Sequence, residues 1–203
     1  MRKVFLWNII LGKADNQTFV SNDYDIEGMS YKFLMSYIID ANTNENENIA
    51  VITSYTIGGS AESNYKDFSS EVNVIAKKKK LIVKFIPLVQ DVEFASGTFN
   101  KFFKNVVAQL KDNDLIYADI TFGMKPYTLG MFTALNYIAK VSNNVRVEQI
   151  SYAQKYNGAI DTDKVEKSVL YDLTTLFYLN KVTGNLSQGD RVSADKMLEL
   201  LLK

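Results

Sequence analysis

The residues best suited to chemistry lie close together in one stretch, Leu115–Pro126. Thr121, Gly123 and Lys125 alternate along it, and Pro126 follows directly. Glycine lets a backbone approach a ligand closely, lysine supplies a positive charge, and the free N–H groups at the start of a helix attract anions. The combination favours phosphate binding, although spacing alone leaves open that Lys125 is an ordinary solvated surface lysine.

The residues on either side indicate the elements that must position this stretch. Strand-forming residues occupy 115–120, and apolar residues recur at helical spacing from Tyr127 onwards. Pro126 suits the first turn of that helix, where its missing N–H is no loss. We therefore predict a strand, a polar loop and a helix, with the loop at the carboxyl end of a parallel strand, where ligands bind. The spacing is neither that of a P-loop nor Gly-x-Gly-x-x-Gly.

Two other polar segments follow predicted buried strands and should reach the same edge of the sheet. Gly12–Thr18 follows the first strand, and Ser54–Ser60 follows the second. Tyr55 could stack on a base, and the hydroxyls and amides could hydrogen-bond; plain loop polarity is the alternative. The candidate ligand-binding residues are Gly12, Asn16, Gln17, Thr18, Ser54, Tyr55, Thr56, Thr121, Phe122, Gly123, Met124, Lys125 and Pro126.

Strands and helices are predicted to alternate along most of the chain. Predicted strands cover residues 3–11, 49–53, 81–88, 115–120 and 145–152, and predicted helices cover 30–41, 62–77, 96–110 and a segment from 127. Pro87 suits a strand end or an edge strand, and the lysines at 77–80 suit a helix C-terminus. These patterns predict an α/β, Rossmann-like, mainly parallel sheet of five or six strands flanked by helices. We assign residues 1–160 to this domain and 161–203 to a helical extension, with Val169 and Leu176 in one helix and Met197 and Leu201 in the next.

Composition excludes several kinds of chemistry. The 203 residues contain 23 Lys and Arg and 23 Asp and Glu. The chain therefore has no net positive charge that would attract long nucleic acid. The chain has no His and no Cys, which excludes a histidine base, a thiolate nucleophile and the usual zinc ligands. We expect no metal and no cofactor. No apolar run is long enough to span a membrane, and we expect a cytoplasmic protein.

Asp119, Thr121, Gly123 and Lys125 match the pattern Asp-x-Thr-x-Gly-x-Lys/Arg. With the strand–helix alternation, this motif makes residues 1–160 resemble the CARF family, the CRISPR-associated Rossmann-fold sensors of cyclic oligoadenylate. Phe122 departs from the Gly or His common in that family, and Gly12–Thr18 replaces the Ser/Thr-rich first loop of many members.

The resemblance implies a homodimer whose two sites form one cradle for a ring of adenylates, with the tetramer expected. Such rings are made in type III CRISPR antiviral signalling. Two functions are compatible with this pocket. A ring nuclease would open the ring without metal, by in-line attack of the ribose 2′-OH, with Lys125 as the catalytic residue. A sensor would instead pass the signal to a separate effector protein through the helical extension. An unrelated flavodoxin-like nucleotide binder is a third alternative.

Overall fold

The computed structural model of the chain describes residues 1–26, 30–90, 96–155, 167–184 and 191–201. The strands are β1 (Arg2–Asn8), β2 (Gln17–Val20), β3 (Ser30–Tyr31), β4 (Asn48–Thr56), β5 (Ile82–Gln90), β6 (Asp114–Asp119), β7 (Arg146–Lys155) and β8 (Lys167–Asp172). The helices are α1 (Leu34–Ala41), α2 (Ala61–Lys79), α3 (Ser96–Gln109), α4 (Lys125–Val141), α5 (Thr174–Thr183) and α6 (Arg191–Leu201).

The strands form one mixed sheet in the order β3-β2-β8-β7-β6-β1-β4-β5. Strands β7, β6, β1, β4 and β5 are mutually parallel, which confirms the Rossmann-like α/β prediction. The sheet has eight strands, more than the five or six expected, because β2, β3 and β8 extend it beyond β7. Within the parallel block the chain moves outward from β1 to β5 and then crosses to β6 on the other side of β1. The carboxyl ends of β1 and β6 therefore border the topological switch point, where α/β proteins bind ligands.

Two hydrophobic cores form because successive residues of the central strand face opposite sides of the sheet. Phe5 and Trp7 of β1 belong to the core under α1 and α2. Val4 and Leu6 belong to the core under α3, α4 and α5. All four side chains are fully buried, as expected for a central parallel strand. The sheet is thus held from both faces, and its carboxyl edge is a rigid base for loops.

Two local predictions agree with the structure. Helix α2 ends at Lys79, and Lys80 caps it in the left-handed conformation with φ 56°. Strand β5 lies at the edge of the sheet. The N–H of Ile82 donates to the carbonyl of Glu47, and the carbonyl of Gln90 accepts the N–H of Ile57. The backbone N–H and C=O groups of the even-numbered residues of β5 therefore point toward β4, and the backbone of Pro87 points away from it. No inward ladder bond is therefore lost at Pro87.

The prediction of an all-helical extension was wrong in part. Val169, assigned to a helix from its spacing to later apolar residues, lies in β8. Strand β8 pairs antiparallel with β7 and parallel with β2, and it buries Ser168 and Leu170 on one face. The alternating burial of side chains that is typical of a strand therefore describes residues 168–170, and the helical spacing of the apolar residues does not. Helices α5 and α6 follow as predicted, while the expected boundary at residue 160 lies outside the described residues.

Two other boundaries also differ. Ser30 and Tyr31, predicted as the start of a helix, form β3, and α1 begins at Leu34. Strand β4 continues to Thr56 instead of ending at Thr53, because β5 pairs with it along its whole length. Residues 54–56 are therefore the end of a strand and not a loop, but they still lie at the carboxyl edge of the sheet.

Candidate functional site at the switch point

Two hydrogen bonds shape the loop that follows β6. Asp119 Oδ1 accepts the backbone N–H of Thr121 at 2.8 Å. Thr121 Oγ1 accepts the backbone N–H of Ala153, at the end of β7, also at 2.8 Å. The first bond forms a tight Asx-type turn, and the second fastens that turn to the neighbouring strand. Asp119 and Thr121 therefore build the loop that carries Gly123 and Lys125.

Gly123 crosses directly over the end of β1. Its φ of +100° is one that residues with a side chain rarely adopt. A Cβ atom built on it would lie 2.7 Å from Asn8 Cβ and 3.1 Å from Asn8 Nδ2. The motif's glycine is thus required by the close approach of two protein segments, whereas the sequence suggested a close approach to a ligand.

Asn8, beneath Gly123, is the functional candidate that sequence reasoning missed. It is the last residue of β1 and only 3% of its surface is exposed. Neither its Nδ2 nor its Oδ1 has a hydrogen-bond partner, although buried polar atoms in proteins are almost always paired. A signal was present in the sequence, because Asn8 is the one polar residue within the apolar run from Val4 to Leu11.

Asn8 lines a small cavity between the ends of β1, β4 and β6, with a volume of about 10 Å³. The structure brings five of the predicted site residues to this cavity: Ser54, Tyr55, Thr56, Gly123 and Met124. Ile9, Leu11 and Tyr127 complete its lining. Tyr55 stacks on Tyr65 with ring centroids 5.1 Å apart, so its face toward α2 is already covered.

A larger groove of about 590 Å³ is lined by the same loop. Gly123 lines both cavities, and Thr121 and Lys125 join it in the groove. The walls are mainly apolar and are formed by Ile120, Leu129, Phe132, Tyr152 and Leu173, with Thr128 beside them. The predicted phosphate-binding residues thus supply polar groups to a groove that is mainly apolar.

Lys125 begins α4, and its side chain is exposed. Met124 caps the helix, and its carbonyl accepts the N–H groups of Tyr127 and Thr128. Pro126 has no N–H, so the amide of Lys125 itself is the donor that the first turn leaves for an anion. Pro126 lies on a separate groove of about 350 Å³ between α3 and α4, away from Asn8.

The segment after β1 is fastened to α2. Asn64 Nδ2 donates to the carbonyl of Ile10 at 2.9 Å and to that of Gly12 at 2.7 Å. Asn64 is itself buried, with 3% of its surface exposed. The position of Gly12 is therefore set by a helix residue that the sequence pattern did not single out, while Asn16 is exposed.

The other predicted residues of this segment have structural partners. The loop ends at Asn16, because Gln17 and Thr18 belong to β2. Gln17 is buried and its Oε1 accepts the hydroxyl of Ser168 at 2.7 Å, while Thr18 pairs with Lys167. Phe122 is half-buried and packs against the core under α1 and α2. Gly12, Asn16, Gln17, Thr18 and Phe122 line none of the three cavities described above.

Asp119 is a buried ionisable group at the base of the loop. It pairs in register with Trp7 of β1 and Ser151 of β7, and 1% of its surface is exposed. Burial raises the pKa of its carboxyl from 3.8 to about 6, although the hydrogen bonds from Thr121 oppose the rise. Its Oδ2 has no hydrogen-bond partner. The group therefore changes charge at mildly acidic pH.

Within the described ranges, no group of three or more His, Cys, Asp and Glu residues is placed to hold a metal ion. Among the helices of those same ranges, none has both the length and the apolar character needed to cross a membrane. Comparison with protein-family models and with curated proteins finds no match for the chain. The functional proposal therefore rests on the site's own geometry and on the sequence motif Asp119–Lys125.

Proposed function

We propose that the protein binds a cyclic oligoadenylate at the switch point, with the tetramer as the first ring to test. The observation that supports this most directly is the unpaired amide of Asn8, enclosed beneath Gly123. A buried polar group without a partner is costly, and such a cost calls for an explanation, of which a bound ligand group is one. The amide indicates a ligand, while the adenylate identity comes from the motif Asp119–Lys125.

The loop that covers Asn8 also borders a groove that suits the parts of a nucleotide. Lys125 and its backbone amide can hold a phosphate at the start of α4. The groove of about 590 Å³ lies in the size range of small-molecule sites and offers Tyr152 and Phe132 as apolar contacts for a base. Phosphate and base would thus both find contacts within one groove.

The surface beside the groove also suits a second copy of the chain. Leu129 is an apolar ridge with 67% of its surface exposed, and it lines both the 590 Å³ and the 350 Å³ grooves. In a dimer with a two-fold axis the same surface of both copies meets, so the ridge of one copy would face the groove of the other. We propose a homodimer in which the two Lys125 loops face one ring.

In the enzymatic form of this proposal the protein is a ring nuclease. The ligand's 2′-oxygen loses its proton to water and bonds to the adjacent 3′-phosphorus atom, the bond from phosphorus to the 5′-oxygen breaks, and that oxygen takes up a proton from water. The linear product has a 5′-OH at one end and a cyclic 2′,3′-phosphate at the other. The residues would act by holding the 2′-OH in line with the leaving oxygen and by placing the Lys125 ammonium beside the developing negative charge.

One observation favours the sensor alternative. Lys125 is the only charged residue among the described residues that line the two cavities, and neither cavity lining includes a carboxylate. A general base is therefore lacking there. In this alternative the ring is bound and not cleaved, and the helical end of the chain passes the signal to a separate effector protein.

Two measurements test the proposal. Calorimetry with rings of three, four and six adenylates should detect binding, and the absence of binding to all three would overturn the proposed function. Incubation with cyclic tetra-adenylate, followed by chromatography, should detect linear product if the ring nuclease form is correct. Binding without product would support the sensor.

A further inference from the structure

The cavity beside Asn8 selects among chemical groups by its size and by what the amide offers. A volume of about 10 Å³ has room for about one oxygen-sized group. Asn8 presents an acceptor, Oδ1, and a donor, Nδ2, and both are unpaired. A group that enters the cavity satisfies the amide best if it can donate and accept at once.

A hydroxyl meets this requirement and a phosphoryl oxygen does not. A phosphoryl oxygen of a nucleotide diester only accepts, so it would pair with Nδ2 and leave Oδ1 unpaired. A hydroxyl can donate to Oδ1 and can also accept from Nδ2. In a ribonucleotide the 2′-OH is such a group, and it lies beside the 3′-phosphate. Gly123 lines both this cavity and the groove that Lys125 lines, so the same loop borders the place of the hydroxyl and the place of the phosphate.

The strand itself does not require an amide at position 8. Val4, Phe5, Leu6 and Trp7, which precede Asn8, are all fully buried and apolar. An apolar side chain at position 8 would continue this run without burying an unpaired amide. The amide therefore needs a partner that the described residues do not provide.

We propose that Asn8 makes the site selective for ribonucleotides over deoxyribonucleotides by pairing with the ligand 2′-OH. This inference rests on the proposed function, because it names the atom of the adenylate ring that enters the small cavity. It assigns to Asn8 a specificity role that differs from that of Lys125, which meets the phosphate. The 2′-OH is the group by which a protein distinguishes RNA from DNA at a given position.

The experiment compares two ligands on four proteins. Calorimetry would measure the binding of cyclic tetra-adenylate and of its fully 2′-deoxy counterpart to the parent, Asn8→Ala, Asn8→Ser and Asn44→Ala. Asn44 is an exposed turn residue before β4, at the opposite edge of the sheet, and its side chain bonds only to Glu47. Thermal melting without ligand checks that each variant is folded, and Asn8→Ser retains a polar side chain of smaller volume.

We expect the parent and Asn44→Ala to bind the ribose ring at least about tenfold more tightly than the deoxyribose ring, as one lost hydrogen bond predicts. Asn8→Ala should bind both rings with similar affinity, and Asn8→Ser should lie between. Equal binding of both rings by the parent would overturn the role of Asn8 while the proposed function stood. Undiminished discrimination by a folded Asn8→Ala would do the same. Binding of neither ring by the parent would overturn the proposed function and this inference with it.

Discussion

Among the glycines that the structure describes, Gly123 is the one where an added Cβ would meet the closest neighbour. In Gly123→Ala the new Cβ would lie 2.7 Å from Asn8 Cβ, at a φ of +100°. We expect the free energy of unfolding to fall by about 2–4 kcal/mol, from backbone strain and overpacking together. Urea denaturation would measure the change. Gly12→Ala is the control, because a Cβ there meets nothing within 4 Å and should alter stability by no more than about 0.5 kcal/mol. Equal stability of the two variants would contradict the packing of Gly123 on Asn8.

Asp119 should make stability depend on pH in the opposite sense to an ordinary paired carboxylate. Its pKa in the folded protein is about 6, above the ordinary value of 3.8 that applies in the unfolded chain. Between pH 3.8 and pH 6 the folded state therefore binds more protons than the unfolded state. The stabilisation is complete below about pH 4 and is lost as the pH rises through 6. Asp119→Asn retains an acceptor for Thr121 and cannot ionise.

Between pH 4 and pH 7 the parent should therefore lose up to roughly 3 kcal/mol of stability relative to Asp119→Asn. Urea denaturation of both proteins at a series of pH values would measure this difference. Contributions from all other titrating groups are common to both proteins and cancel. A difference in stability that stays constant with pH would show that Asp119 does not titrate in this range.

Lys125 is expected to act on turnover if the ring nuclease form is correct. Negative charge grows on the phosphoryl and leaving oxygens during in-line attack, and a fixed cation gains most from that growth. Lys125→Ala should slow ring opening at saturating ligand by roughly two to three orders of magnitude. Single-turnover chromatography would follow the linear product, with Lys125→Arg as the variant that keeps the charge in another geometry. Weaker binding with an unchanged saturated rate would identify Lys125 as an anchor only.

Among the secondary-structure elements, α2 has an effect on the site through Asn64. Asn64→Ala removes the donors to Ile10 and Gly12 and leaves two carbonyls without this partner. We expect a loss of about 1–3 kcal/mol in stability and faster hydrogen exchange in residues 9–16. Ser70→Ala on the same helix is the control, because Ser70 is exposed and bonds only within α2. Unchanged exchange in Asn64→Ala would show that α2 does not hold the segment.

The whole molecule is expected to be a dimer through the exposed face of α4. Leu129→Glu places a charge on the apolar ridge and should convert the dimer into a monomer. Val74→Glu is a matched control, because Val74 is also apolar, 71% exposed, and lies on α2 away from the grooves. Light scattering at micromolar concentration would measure the molar mass. A monomeric parent, or a dimeric Leu129→Glu, would contradict this assembly.

The α/β class could be predicted from the sequence because it depends on local periodicity. The continuous apolar run before Asn8 predicts a central strand, and the spacing of Phe99, Phe102 and Val106 predicts α3; both predictions are confirmed. Glycine, lysine and proline after a short apolar run also predicted the loop and the start of α4. Each of these signals lies within a few neighbouring residues, where the backbone preference and the pattern of apolar residues favour the same element.

The tertiary structure alone decided which distant residues meet. Strand β8 joins the sheet because Ser168 and Leu170 pair with residues of β2 and β7. The sequence of a short segment does not show which distant strands it will pair with. In the same way, Asn8 is a single polar residue in a strand until the chain crosses the sheet and lays Gly123 over it. Strand pairing and burial depend on contacts between segments far apart in the chain, so local periodicity could not predict the site's central amide.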